Sequence, residues 1–134
     1  MGHPSPYRRR LPRWLALTLL SLAALPPAPA LAKADEVRVA GVCGRGASAE
    51  LRLLGDEGAI ELRFGVAHNR PGAVWRVVLV QERRIAWRGA ARTSRSSGSF
   101  EVRRSLRDLP GADAVTARAW GPQGLVCRAS ATLG

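Results

Sequence analysis

Ile60-Glu61-Leu62-Arg63-Phe64-Gly65-Val66 decides the fold. Large apolar side chains occupy every second position, with polar or small ones between, and in a strand successive side chains point to opposite faces. This period of two describes a strand with one face on a core and one in water. Working backwards, Gly55-Asp56-Glu57-Gly58 is turn chemistry, and before it Ala49, Leu51 and Leu53 alternate with Glu50 and Arg52. The two alternating runs therefore predict a hairpin. Further back, residues 37–43 read as one strand with Val37, Val39, Gly41 and Cys43 on one face and Arg38 on the other.

The same alternation continues downstream. After the turn His68-Asn69-Arg70-Pro71-Gly72, the run 74–81 puts Trp75, Val77 and Leu79 on one face. Val74, Val78 and Val80 make its other face apolar as well, as in a strand covered on both sides. Glu82-Arg83-Arg84 reads as a tight polar break, after which Ile85 and Trp87 point one way and Arg84, Ala86 and Arg88 the other. Residues 90–98 hold no large apolar side chain and read as a mobile loop. Phe100 and Val102 then alternate with Glu101 and Arg103, and a turn follows at Leu109-Pro110-Gly111-Ala112-Asp113. Val115, Ala117 and Ala119 alternate with Thr116, Arg118 and Trp120. After Gly121-Pro122-Gln123-Gly124, a last strand puts Leu125, Cys127, Ala129, Ala131 and Leu133 on one face. No stretch after residue 33 has helical periodicity. About seven or eight short strands in roughly 100 residues predict an all-β fold, an immunoglobulin-like or fibronectin-like antiparallel β-sandwich.

The front of the chain has a different composition. Arg8-Arg9-Arg10 precede the apolar run Leu15–Leu25, prolines stand at positions 26, 27 and 29, and Ala30-Leu31-Ala32 offers small residues before Lys33. This is the pattern of a cleavable signal peptide over residues 1–32, with a helical apolar stretch too short for the ~20 residues a membrane span needs. The expected division is a signal peptide at 1–32 and one β-sandwich domain at 33–134, secreted and either free or associated with the cell wall, with no integral span left after cleavage. In such a compartment Cys43 and Cys127, the two cysteines of the chain, should form a disulfide. Both fall in the buried phase of their strands, so the bond should lie inside and tie the first strand to the last. Their separation is wider than that of the inter-sheet cysteines of antibody domains.

The residues for chemistry are few. Past the leader, His68 is the only histidine, it has no nucleophile elbow beside it, and at a turn it reads as solvent-facing. Glu50, Glu61 and Glu101 sit in polar strand phases beside arginines, as solvated charge pairs and not as a glycosidase couple. Cys43 and Cys127 are committed to each other, one histidine makes no zinc site, and Asp56-Glu57 is far short of a calcium loop. Gly41-Val42-Cys43-Gly44-Arg45-Gly46 lacks the lysine and helix of a phosphate loop. The expectation is a non-enzyme with no metal and no cofactor.

Charge and one tryptophan remain. Removing Arg8, Arg9, Arg10 and Arg13 from the 21 basic residues leaves 17 against 10 acidic ones, a balance of +7. All but Lys33 of those 17 are arginine, a bias that a GC-rich coding sequence would also produce. Arg83, Arg84, Arg88, Arg92 and Arg95, followed by Arg103 and Arg104, would form one anion-binding patch if their strands pair. The other reading of these arginines is a solvated surface set by composition. Trp120 falls in the outward phase of its strand and reads either as an anchor for a partner or as a cover over the sandwich edge.

The runs Asn69-Arg70-Pro71-Gly72-Ala73-Val74-Trp75-Arg76-Val77 and Ser97-Gly98-Ser99-Phe100-Glu101-Val102-Arg103, and then Ala117-Arg118-Ala119 ahead of a late cysteine, resemble a group of small secreted proteins of high-GC Gram-positive bacteria. The resemblance spans most of residues 43–133 and rests on turn and strand signatures. It implies an exported sandwich and transfers no site. The functional expectation is a secreted, non-catalytic binding or structural module whose partner is not legible. The alternative is recognition of an anionic polymer or surface (teichoic acid, phospholipid or nucleic acid) through the arginines.

Overall fold

The computed structural model describes Gly2, residues 23–27 and residues 35–134. The expected signal-peptide helix and its cleavage point after Ala32 lie outside the described residues. Nine strands follow: β1 (Glu36–Ala40), β2 (Val42–Cys43), β3 (Ser48–Asp56), β4 (Ala59–Ala67), β5 (Val74–Gln81), β6 (Arg84–Arg92), β7 (Ser99–Arg107), β8 (Asp113–Trp120) and β9 (Val126–Leu133). A 3-10 turn at Pro122–Gly124 joins the last two. They form two antiparallel sheets, one in the order β1-β3-β4-β7 and one in the order β2-β9-β8-β5-β6. The alternating residues face inward between them: Leu51, Leu53, Ile60, Leu62 and Phe64 from one sheet meet Trp75, Val77, Leu79, Ala117 and Cys127 from the other, all fully buried. Each large one contributes about 1.5–3 kcal/mol by leaving water. Among the described residues, every member of this core lies between Ala49 and Leu133, so the segment from 33 onward contains it. The strand after β5 stays in the sheet of β5, unlike the order of an antibody constant domain.

The segment expected as one strand at 37–43 is two. β1 pairs with β3 in the first sheet, and β2 pairs with β9 in the second. The crossing occurs at Gly41, where a Cβ would stand 2.9 Å from the Arg128 carbonyl oxygen and 3.0 Å from the Ala49 Cβ. Only a residue without a side chain lets the chain pass between the sheets there. The Cys43–Cys127 disulfide joins residues 84 apart in sequence and directly opposite each other on neighbouring strands. It links the leading segment to the last strand, as expected, and does so within one sheet. The link restricts the unfolded chain by about 4.5 kcal/mol in the loop-entropy account.

Three further expectations change. Ile85 and Trp87 lie on opposite faces because the β5–β6 ladder slips between Leu79 and Val80: Leu79 pairs with Trp87, Val80 with Ile85, and Ala86 is the extra residue. A bulge of this kind reverses the phase of every side chain beyond it. Residues 90–92 continue β6, and the connection after them is tied down by Thr93, whose buried hydroxyl donates to the Arg70 carbonyl and accepts from the Ala73 N–H at 2.8 Å. Gly98, at φ 65°, touches the backbone of Asn69 so closely that a Cβ would fall 2.7 Å from its Cα. His68, expected at the solvent, is 8% exposed and packs edge-on against the Trp75 ring at 5.6 Å. The two connections that carry His68 and Thr93 cross between the sheets side by side, and their mutual hydrogen bonds, including His68 N–H to the Gly98 oxygen at 3.0 Å, draw the imidazole under them.

At the other end, Asp113 is fully buried at the start of β8. Its carboxylate accepts from Gln81 Nε2 at 2.8 Å and from the Leu109 N–H at 3.3 Å, which satisfies a group too costly to bury alone. The β5–β6 turn consists of Glu82 and Arg83, both at positive φ, 47° and 65°. Glu82 holds this conformation because its carboxylate accepts from the Ala114 N–H at 2.6 Å while its own N–H donates to the Ala114 oxygen at 3.0 Å.

Candidate functional site

The strand registers sort every outward side chain onto one of two exterior faces, and the faces differ in charge. On the four-stranded sheet, Arg38, Arg52, Arg63 and Arg103 stand opposite one another in a single row across all four strands. Glu36, Glu50, Glu61 and Glu101 flank that row. Glu36 pairs with Arg52 at 2.6 Å, Glu61 with Arg63 at 2.7 Å and Glu50 with Arg38 at 3.6 Å, and Glu101 pairs with Arg103. The Arg52 guanidinium bonded to Glu36 holds that carboxyl below its ordinary value of 4.5, and Glu36 in turn raises Arg52. This face is charge-balanced.

Among the described residues, no outward strand position of the five-stranded sheet is acidic, and the carboxylate of Glu82 lies at its end, on the Ala114 N–H. One row reads Val42, Arg128, Arg118, Val78, Arg88 across its five strands, and the next reads Val126, Trp120, Arg76, Ala90. Arg92 stands outward at the end of β6, opposite Val74, with one guanidinium nitrogen on the Gly72 oxygen at 2.9 Å. Arg118 and Arg128 are directly opposite each other with no acid beside them. Within residues 35–134, the large apolar side chains left exposed are Val42 (79%), Val74 (51%), Ile85 (52%) and Val126 (41%), and all of them belong to this face. No described residue therefore covers the Val74, Val78 and Val80 side of β5, contrary to the expectation from its apolar pattern. Two shallow depressions mark the surface. One of about 540 Å³ lies between Arg76, Val78, Arg88, Ala90 and Trp120, and one of about 550 Å³ between Ala40, Val42, Val126 and Arg128.

The arginines singled out in the sequence do not converge, because β6 and β7 belong to different sheets and do not pair. Arg88 and Arg92 lie on the acid-free face. Arg103 lies on the opposite exterior, bonded to Glu101. Arg83 occupies the β5–β6 turn, Arg84 stands opposite Gln81 beside it, and Arg95 lies in the connection after β6. Arg104 places its guanidinium 4.3 Å from the centre of the Trp87 ring, bridging the unpaired edges of the two sheets. Charged side chains on free edge strands oppose pairing with other chains, and Arg84 and Arg104 fit that role. Trp120 is outward and half-buried, with the Arg76 guanidinium 5.9 Å from its ring. Arg76, Arg118, Arg128, Val42 and Val126 were not singled out from sequence. Their common signal is the outward phase of strands that share one sheet, which becomes readable only once the sheet order is known.

Among the described residues no group of three or more His, Cys, Asp or Glu is placed to hold a metal ion, and no helix is long and apolar enough to cross a membrane. The disulfide is the kind of bond formed in an oxidising, extracellular-type environment. Comparison with protein-family models, curated proteins and solved structures finds no match to this chain.

Proposed function

We propose that this chain is an exported, non-catalytic binding module that holds an anionic polymer or surface on the exterior of its five-stranded sheet. The observation that carries the reading is the segregation of charge. The acidic residues that neutralise arginines gather on one exterior, while Arg76, Arg88, Arg92, Arg118 and Arg128 share the other with no acid among them. Like charges opposite one another on a sheet are destabilising, so an uncompensated Arg118–Arg128 pair is better explained by a partner that supplies the negative charge than by the fold. Arginine forks match phosphate and carboxylate oxygens, and tryptophan with arginine is the composition of binding hot spots. The leader at the front of the chain, the disulfide and the resemblance to small exported proteins support an extracellular setting.

The test matches charge between variants. The segment 33–134 is passed over phosphocellulose at low and at physiological salt, together with Arg76→Ser/Arg118→Ser/Arg128→Ser and Arg38→Ser/Arg52→Ser/Arg63→Ser, each of which removes three arginines. Retention should fall steeply with salt and be lost in the first variant, while the second keeps it. Equal loss in both variants reduces the interaction to net charge and overturns the proposal.

A further inference from the structure

We infer that the partner of this face is an anionic phospholipid surface, an inference that rests on the binding face just proposed. A linear polyanion rewards cations and gains nothing from aliphatic groups. A carboxylate- or phosphate-bearing bilayer rewards both, since peripheral attachment needs an electrostatic and an apolar contribution together. This exterior interleaves the two. Val42 and Val78 stand in the same row as Arg128, Arg118 and Arg88, and Val126 and Trp120 stand beside Arg76. The exposed valines and isoleucine of the domain are confined to it. Trp120 lies half-buried with a guanidinium beside it, and amphipathic indoles favour the headgroup level.

The lack of acids at its described outward strand positions also bears on which partner it is. A protein partner presents charges of both signs, so its docking face usually keeps some carboxylates, whereas a uniformly anionic plane repels every one. The five strands, about 4.8 Å apart, give a face roughly 20 Å across, broad enough to lie on a lipid surface. A second copy of the chain is a poor occupant, because it would set these arginines against their own counterparts.

The experiment is sedimentation of the segment 33–134 with phosphatidylcholine vesicles with and without about 30 mol % phosphatidylglycerol. Inorganic polyphosphate and a short oligothymidylate serve as competing probes. Binding should require phosphatidylglycerol. Arg118→Ser/Arg128→Ser should lower the partition coefficient about 25-fold, roughly fivefold per arginine. Val42→Ser/Val126→Ser should also weaken it, while leaving any residual affinity for polyphosphate unchanged. Brominated lipid should quench tryptophan emission in the wild-type segment and do so much less in Trp120→Phe. Binding to polyphosphate or oligothymidylate with the same arginine dependence, insensitivity to Val42→Ser/Val126→Ser and no quenching, would overturn the lipid surface and leave the anion-binding face standing. Absence of binding to every probe would remove both.

Discussion

Reversing the charge of Arg118 should make the domain more stable while abolishing its grip on an anionic partner. Arg118 has Arg128 directly opposite on β9, Arg76 diagonally placed on β5, and Val78 opposite on its other side, with no acid in reach. In the Arg118→Glu variant a like-charge cross-strand pair becomes an opposite-charge one. Each such pair is worth roughly 0.2–1 kcal/mol in its own direction, so removing the repulsion and gaining the attraction should add about 1 kcal/mol at low salt. For a domain of this size that is a rise of roughly 4–8 °C in the unfolding midpoint, measurable by circular dichroism or calorimetry. At about 0.5 M salt the gain should shrink to a few tenths of a kcal/mol as screening shortens the reach of both interactions. Arg118→Glu/Arg128→Glu restores a like-charge pair and should fall back towards the wild-type midpoint, which separates the pair interaction from any effect of net charge. Unchanged or lowered stability in Arg118→Glu at low salt, or a double variant as stable as the single one, would refute the view that this face carries uncompensated repulsion.

Other consequences are open to measurement. Replacing both Cys43 and Cys127 by alanine should cost about 4.5 kcal/mol from the loss of an 84-residue constraint on the unfolded chain, read as a fall of some 20 °C or more in the unfolding midpoint. Thr93→Val keeps the volume but removes the hydroxyl that the Ala73 N–H donates to, so it should destabilise by about 1–3 kcal/mol in denaturant titration. Arg83→Gly relieves a non-glycine residue at φ 65° and should stabilise by about 1 kcal/mol, with the Glu82 contact to Ala114 retained. Glu36, whose carboxyl is held below 4.5 by its bond from Arg52, contributes stability that is present above that value and is lost as pH falls through its lowered folded one. An acid titration of unfolding should therefore show a shallower decline in Glu36→Gln than in the wild type below about pH 4.5.

The sandwich was legible because its strands obey one simple rule. In β3 and β4 one residue in two meets the core, and Leu51, Leu53, Ile60, Leu62, Phe64 and Val66 are buried where alternation puts them. The cysteine pairing was legible because the chain has two cysteines, and their inward phases face each other on the neighbouring strands β2 and β9. Alternation is silent about events that depend on the partner strand. Nothing local marks Ala86 as the inserted residue, because the slip is set by what β5 presents opposite it. Gly41 reads as one more small residue on the inward face of a strand until two sheets close on it. The proposed binding face was missed on the same grounds. Arg76, Arg118 and Arg128 are far apart in sequence and meet only through the order β9-β8-β5, whereas Arg83 to Arg104 are near in sequence and are scattered by the division of β6 and β7 between sheets. His68 looked exposed because its neighbours are turn residues, and it is buried because two turns lie against each other.

The position of the sulfur bridge also fixes how the domain would respond to being pulled. A load applied ahead of Cys43 and beyond Cys127 passes straight from one cysteine to the other, and the stretch between them, 84 positions on, bears none of it. Once β1 and the part of β9 beyond Cys127 have peeled away, extension stops. Roughly 280 Å of contour, at about 3.3 Å per residue, stays locked out of reach, so under load the domain gives up those outer segments and then behaves as a short inextensible link.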